Sequence, residues 1–236
     1  MKERPILFSG PMVRAILAGR KTQTRRIVKP QPPAEYPYVL AKTMLRSENG
    51  EAFWTDAPGD DDMMGYWPSY EKGIPCPYGT PCDRLWVRET WFVRDCGRRC
   101  TLTEDVHKSR LLYCADCTPM AYETRSPIHM FRWASRIDLE VTGVRVERVQ
   151  DISEADAQAE GISVLPLQDP TDPSAWWQSA PGVHQARNAR DAFAMLWDSI
   201  NKKPRLRGED QQRCIDLGSG WDANPWVWVI DFKWLT

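Results

Sequence analysis

With 236 residues, 42% hydrophobic and 27% charged, the chain has the balance of a globular protein that buries a sizeable core. Its net charge of −1 excludes attraction of nucleic acid by the molecule as a whole, so any such binding must come from a local patch. No apolar run reaches the roughly 18 residues that span a membrane, and "MKERPILFSG" lacks a signal-peptide core, so a cytoplasmic chain without membrane contact is expected.

Residues 1–30 form one basic patch, with Lys2, Arg4, Arg14, Arg20, Lys21, Arg25, Arg26 and Lys29 against the single acid Glu3. Within it a helix is expected from Pro11 to about Ala18. Proline suits its first position and Gly19 its C-terminal cap, and Met12, Val13, Ile16 and Leu17 share one face. "TRRIV" then reads as a strand. From about 30 to 82 the pattern dissolves into proline, glycine and acid, a long insertion.

"DRLWVRETWFV" (83–93) reads as a strand, with Leu85, Val87 and Glu89 opposite Trp86, Arg88 and Thr90. A second insertion covers about 94–127. Residues 132–152 read as two strands joined through Gly143, the second alternating as Val144, Val146, Arg148 against Arg145, Glu147, Val149. Ser153 with Asp156 three residues on is a capping-box variant opening the helix "EADAQAE", which stops at Gly161.

A third insertion, about 163–184, leads to a helix over Gln185 to Asn201 with Ala189, Phe193, Leu196, Trp197 and Ile200 on one face. "PWVWVIDFKWL" closes the chain as a strand. The expected class is α+β: one domain, a small closed β-barrel with three flanking helices and three long insertions. Most of the twelve tryptophans are expected in its core.

Seven cysteines, an odd number in an unexported chain, argue against a disulfide framework. Cys96 and Cys100 (C-x3-C) with Cys114 and Cys117 (C-x2-C) could wrap one tetrahedral zinc ion that staples the second insertion, with His107 as a substitute ligand. The alternative is four ordinary reduced cysteines in a loop. Four thiolates would leave no open position, so such a zinc would be structural and catalysis would need no cofactor. Cys76, Cys82 and Cys214 carry no motif, and His129 reads as a structural histidine.

The stretch "ILAGRKTQTRR" (16–26) resembles the ASCH domain, a PUA-like β-barrel superfamily with the signature G-x-K-x-x-E-x-R. Thr24 stands at the glutamate position. Threonine there is the pattern of the small bacterial N4-acetylcytidine amidohydrolases. The likeness covers residues 5–29, 83–93, 132–162 and 185–235. Segments such as "CPYGTPCDRLWVRETW" and "PIHMFRWASRI" are similar instead to larger ASCH-type proteins of tailed phages and prophages, which implies that kind of source. The resemblance implies a Lys–Thr–Glu triad, carried onto Lys21, Thr24 and, through "ISEADAQAEGI", Glu160.

The residue types suit that chemistry. A threonine hydroxyl attacks only when a base takes its proton, and lysine is such a base only with a lowered pKa. Arg20, Arg25 and Arg26 would push Lys21 that way, burial would add to it, and the same arginines could hold a phosphate. Three residues apart, Lys21 and Thr24 meet in a turn but not in a straight strand. A carboxylate at 160 could orient the lysine or protonate the departing amine, and Glu89, on a core strand, is its rival. Deacylation of a modified cytosine nucleoside is the first expectation. The alternatives are a non-catalytic RNA- or modified-base-binding module, an ASCH-type ribonuclease, and a phage structural or host-interaction protein.

Overall fold

The computed structural model describes residues 1–29, 31, 44–46, 51–54, 74–94, 102–104, 108–116, 123–166, 168–202 and 219–235. In chain order its strands and α-helices are β1 (Glu3–Leu7), α1 (Gly10–Leu17), β2 (Gln23–Ile27), β3 (Met44–Arg46), β4 (Glu51–Trp54), β5 (Ile74–Pro75), β6 (Arg84–Arg88), β7 (Trp91–Val93), β8 (Leu111–Tyr113), β9 (Asp138–Arg148), α2 (Glu154–Ala159), β10 (Ser163–Val164), β11 (Trp177–Gln178), α3 (Ala189–Asn201) and β12 (Trp226–Leu235). No described helix is long and apolar enough to cross a membrane.

The centre is a five-stranded mixed sheet in the order β1-β6-β9-β12-β2, parallel only between β1 and β6. The α+β class is borne out; the closed barrel is not. Among the described residues β1 and β2 are the two edges of an open sheet. The Arg26 side chain donates from Nη2 to the Leu7 carbonyl at 2.6 Å. A side chain thus meets an edge carbonyl that a closing strand would have met with its backbone.

Strand β12 organises two cores. Trp228, Ile230 and Phe232 face a cluster that includes Ile6, Phe8, Leu85, Leu139, Val141 and the α1 residues Val13 and Ile16. Val227 and Val229 face the other way, onto Val149, Ile152, Ala157 of α2, and Phe193 and Trp197 of α3. The sheet is therefore sandwiched between α1 and the α2–α3 pair, which explains why "WVWVI" is apolar without interruption. Each such fully buried side chain contributes roughly 1.5–3 kcal/mol.

The helices form where their caps place them. Pro11 enters the first turn of α1, and Gly19 follows at φ +69°, its N–H bonded to the Ile16 carbonyl. Ser153 accepts the Asp156 N–H at 3.1 Å to start α2, and Asn188 accepts the Asp191 N–H at 2.7 Å to start α3. That cap sets the start of α3 at Ala189, four residues after Gln185. Ile200, expected on the apolar face, is 47% exposed.

Two strand readings are corrected. Residues 83–93 are not one strand: β6 ends at Arg88, Glu89 donates its N–H to the Met130 sulfur, and β7 pairs with β8 in a separate sheet. Residues 138–148 are not two strands: β9 runs straight through Gly143. Gly143 lies opposite Asp231, where the register slips, and a Cβ there would sit 3.0 Å from Asp231 Oδ2. The glycine makes room for a carboxylate rather than a turn. Within the first insertion β3, β4 and β5 form a small sheet, and in the third β10 pairs with β11. Cys96, Cys100, Cys117, His107 and Cys214 lie outside the described residues.

Candidate functional site

The site forms where α1 hands the chain to β2. After the Gly19 turn, the N–H groups of Arg20 and Lys21 both bond to the Ala15 carbonyl, and the Thr22 N–H bonds to Ala159 at the end of α2. Gly161, at φ +102°, then passes close by: a Cβ on it would meet Ala15 Cβ at 3.1 Å and Lys21 Cβ at 3.4 Å. This close approach holds Glu160, the C-cap residue of α2, against Lys21.

Lys21 is 2% exposed and Glu160 5%. Lys21 Nζ donates to Glu160 Oε2 at 2.6 Å, to the Glu160 carbonyl at 2.7 Å and to the Gln23 carbonyl at 2.8 Å. An ammonium has three N–H groups, so all of its donors are taken. The Gln23 carbonyl belongs to the peptide that joins Gln23 to Thr24, so the ammonium lies beside the Thr24 backbone. Lys21 thus meets the backbone just before Thr24, where an irregular link passes into a strand, and the two residues do not share one turn. Burial is the largest influence on Lys21 and drives its pKa below 10.5 against the opposing pull of Glu160. Arg26 and Arg25 add smaller pushes in the same direction.

Arg25 has a fully buried side chain. It lies 3.5 Å from Glu160 Oε1, 3.6 Å from Asp156 and 3.3 Å from Glu147. Around it Gln23, Arg145, Asp156 and Asp231 close a polar network: Gln23 bonds both Asp156 and Asp231, and Arg145 bonds Glu147, Asp156 and Asp231. Burial pulls the Asp156 carboxyl up, but hydrogen bonds from Ser153 and Gln23 and the charges of Arg25 and Arg145 outweigh it, and its pKa falls below 3.8.

Thr24, Arg25, Arg26 and Glu160 line one cavity of about 240 Å³, walled on the α3 side by Phe193 and Trp197. Three buried polar atoms on these residues have no hydrogen-bond partner: Glu160 Oε1, Arg25 Nε and Arg26 Nε. Unsatisfied buried polar atoms are costly and rare. Glu160, Arg25 and Arg26, which carry these atoms, also line the cavity, so a polar ligand there would meet their side chains.

The remaining expected residues lie elsewhere. Arg20 is exposed and donates to the Gly161 carbonyl at 3.4 Å. Glu89 is buried and gripped by Arg136 through two bonds of 2.9 and 3.0 Å, with Asp116 on the same guanidinium. Burial lifts its pKa despite Arg136. It is not among the residues that line the cavity. Cys114 is half-buried, with its N–H on the Thr90 carbonyl. Among the described residues no group of three or more His, Cys, Asp or Glu could hold a metal ion.

Single-sequence reasoning missed Gln23, Arg145, Glu147 and Asp231, which are scattered over three strands with no spacing to connect them. Asp156 was visible only as part of a cap. No family model, no curated protein and no solved structure matches the chain.

Proposed function

We propose that the chain is an amidohydrolase of the ASCH kind that removes the acyl group from an N4-acylated cytosine nucleoside, with Lys21, Thr24 and Glu160 as its triad beside an open five-stranded sheet. The observation that carries this reading is the buried Lys21–Glu160 pair beside a cavity that Glu160 and Thr24 both line. The resemblance of "GRKTQTRR" to that family supports it.

The chemistry follows from which atoms are free. Lys21 Nζ is saturated, so Glu160 Oε1 is the basic atom that meets the substrate. It takes the Thr24 hydroxyl proton as the oxygen attacks the acyl carbon. The oxyanion that forms finds donors in the guanidinium groups of Arg25 and Arg26, which line the cavity. Glu160 returns the proton to the exocyclic nitrogen, the C–N bond breaks and the nucleoside leaves an ester on Thr24. Water, deprotonated by the same carboxylate, cleaves that ester to release the carboxylic acid. Lys21 positions the carboxylate and shares its proton across 2.6 Å. The cavity is smaller than the roughly 300–1,000 Å³ of drug-sized sites, which suits a single base or nucleoside.

Incubation with N4-acetylcytidine, followed by chromatography, is expected to give cytidine and acetate. Thr24→Ala and Glu160→Gln, checked for folding, are expected to lose about 10²–10⁴-fold in turnover. Turnover that survives both substitutions would falsify the triad.

A second reading, a non-catalytic RNA-binding module, is favoured by one surface. Phe131, 46% exposed, stacks on Trp133, and Ile128 is exposed beside Arg88, whose guanidinium lies 4.5 Å from the Trp86 ring. No turnover by the wild type, together with RNA binding that weakens as salt rises, would select it.

A further inference from the structure

A second cavity, of about 120 Å³, adjoins the first and shares Met12, Glu160 and Leu196 with it as walls. We propose that this smaller cavity is an acyl-chain subsite, built by the turn at residues 179–184, which makes the chain select amides of acyl groups of about four to six carbons over acetyl. The proposal rests on the amidohydrolase reading and adds to it the class of acyl group cleaved.

The walls away from Glu160 are mainly hydrocarbon, from Pro11, Met12 and Ala15 on the α1 side and Ile162, Val183 and Leu196 opposite. Two of the polar side chains that line it pair with each other: Ser179 Oγ lies 2.7 Å from His184 Nδ1. Burial lowers the His184 pKa below 6.5, so its ring is uncharged at neutral pH. A hydrocarbon chain there would meet mainly apolar walls, whereas Thr24, Arg25 and Arg26 line the larger cavity. The division suits a substrate with an apolar acyl end and a polar nucleoside end, and the shared wall puts Glu160 between them, where the amide bond would lie.

The shape of the turn is fixed locally. Gly182 at φ +75° and His184 at φ +53° are left-handed, and Ala180 bridges to Val183. This turn lies in the third insertion, outside the segments that resemble the small deacetylases.

Size decides the acyl class. An apolar protein cavity of about 150 Å³ holds benzene, so 120 Å³ takes a chain of about four to six carbons, and an acetyl methyl would leave most of it empty. Each buried methylene is worth about fourfold in a binding constant. Two methylenes beyond acetyl give about 15-fold.

The test compares kcat/KM for N4-acetyl-, N4-butanoyl- and N4-hexanoylcytidine on the full chain. The expected butanoyl-to-acetyl ratio is about 15 in the wild type and falls toward 1 in Ala180→Phe and Val183→Trp, with thermal melting confirming that both variants fold. A wild-type ratio of 1 or less, or a ratio unmoved by both substitutions, overturns the subsite. If none of the three amides is cleaved, the amidohydrolase reading fails. The cavity is then judged by methyl NMR with hexanamide against acetamide. Saturable shifts at Ile162 and Val183 from hexanamide alone, lost in Ala180→Phe, uphold an apolar-chain site, and their absence removes it.

Discussion

Lys21 is the residue at the centre of the proposed chemistry, and its environment explains why a lysine is there at all. Three oxygen acceptors within 2.8 Å demand a trivalent donor, and only an ammonium supplies one from a single atom. Lys21→Met leaves the buried Glu160 carboxylate with Arg25, 3.5 Å from Oε1, as its remaining cation and is expected to cost about 3 kcal/mol in urea unfolding. Lys21→Met/Glu160→Met removes both charges and is expected to regain about 1–3 kcal/mol of that loss. A double variant no more stable than the single one would show that the two charges do not depend on each other.

The same residue gives stability a pH dependence with a definite sign. The unfolded chain keeps a proton on Lys21 up to about pH 10.5, while the folded chain releases it at lower pH. Between those two values the unfolded state binds more protons, so stability rises with pH across that window. The cost of holding the buried cation is therefore present in full below the folded pKa. Chemical denaturation in alkaline buffers is expected to show this positive slope in the wild type and a flatter one in Lys21→Met.

At the scale of elements, the site depends on two short pieces of backbone, the Gly19 turn after α1 and the Gly161 turn after α2. At Gly19 a side chain would find open space, and only its φ of +69° resists substitution. At Gly161 both the backbone angle of +102° and the approach to Ala15 and Lys21 resist it. Gly161→Ala is expected to cost about 1–3 kcal/mol and to lower turnover as well, because relief of the contact moves Glu160 away from Lys21. Gly19→Ala is expected to lose stability of a similar kind with turnover nearly unchanged. Thermal melts beside kcat measurements separate the two. Equal effects on turnover would mean that the α1 turn, not the α2 turn, sets the pair.

At the scale of the whole molecule, an open sheet covered on both faces keeps Lys21, Arg25 and Glu160 buried. Charges at 0–4% side-chain exposure are screened little by salt, whereas Lys2, Arg14, Arg20 and Lys29 of the basic N-terminal stretch are exposed. Cleavage of an uncharged nucleoside amide is therefore expected to change by less than about twofold between 0.05 and 0.5 M salt. A tenfold fall would place the rate-determining attraction in the surface arginines instead.

The sequence by itself determined α1 with its glycine cap, the start of α2 at Ser153 and the long apolar strand β12, because caps and periodicity act within a few residues. It also singled out Lys21, Thr24 and Glu160, through a local likeness. Only the tertiary structure decided that Lys21 and Glu160 meet, since 139 residues separate them and a bond of 2.6 Å leaves no trace in spacing. It decided likewise that Glu89 belongs to Arg136, that Gly143 yields to Asp231, and that the sheet stays open. Each of these is settled by which side chain comes to lie opposite another strand, a matter of register and packing that a chain read in one dimension does not contain.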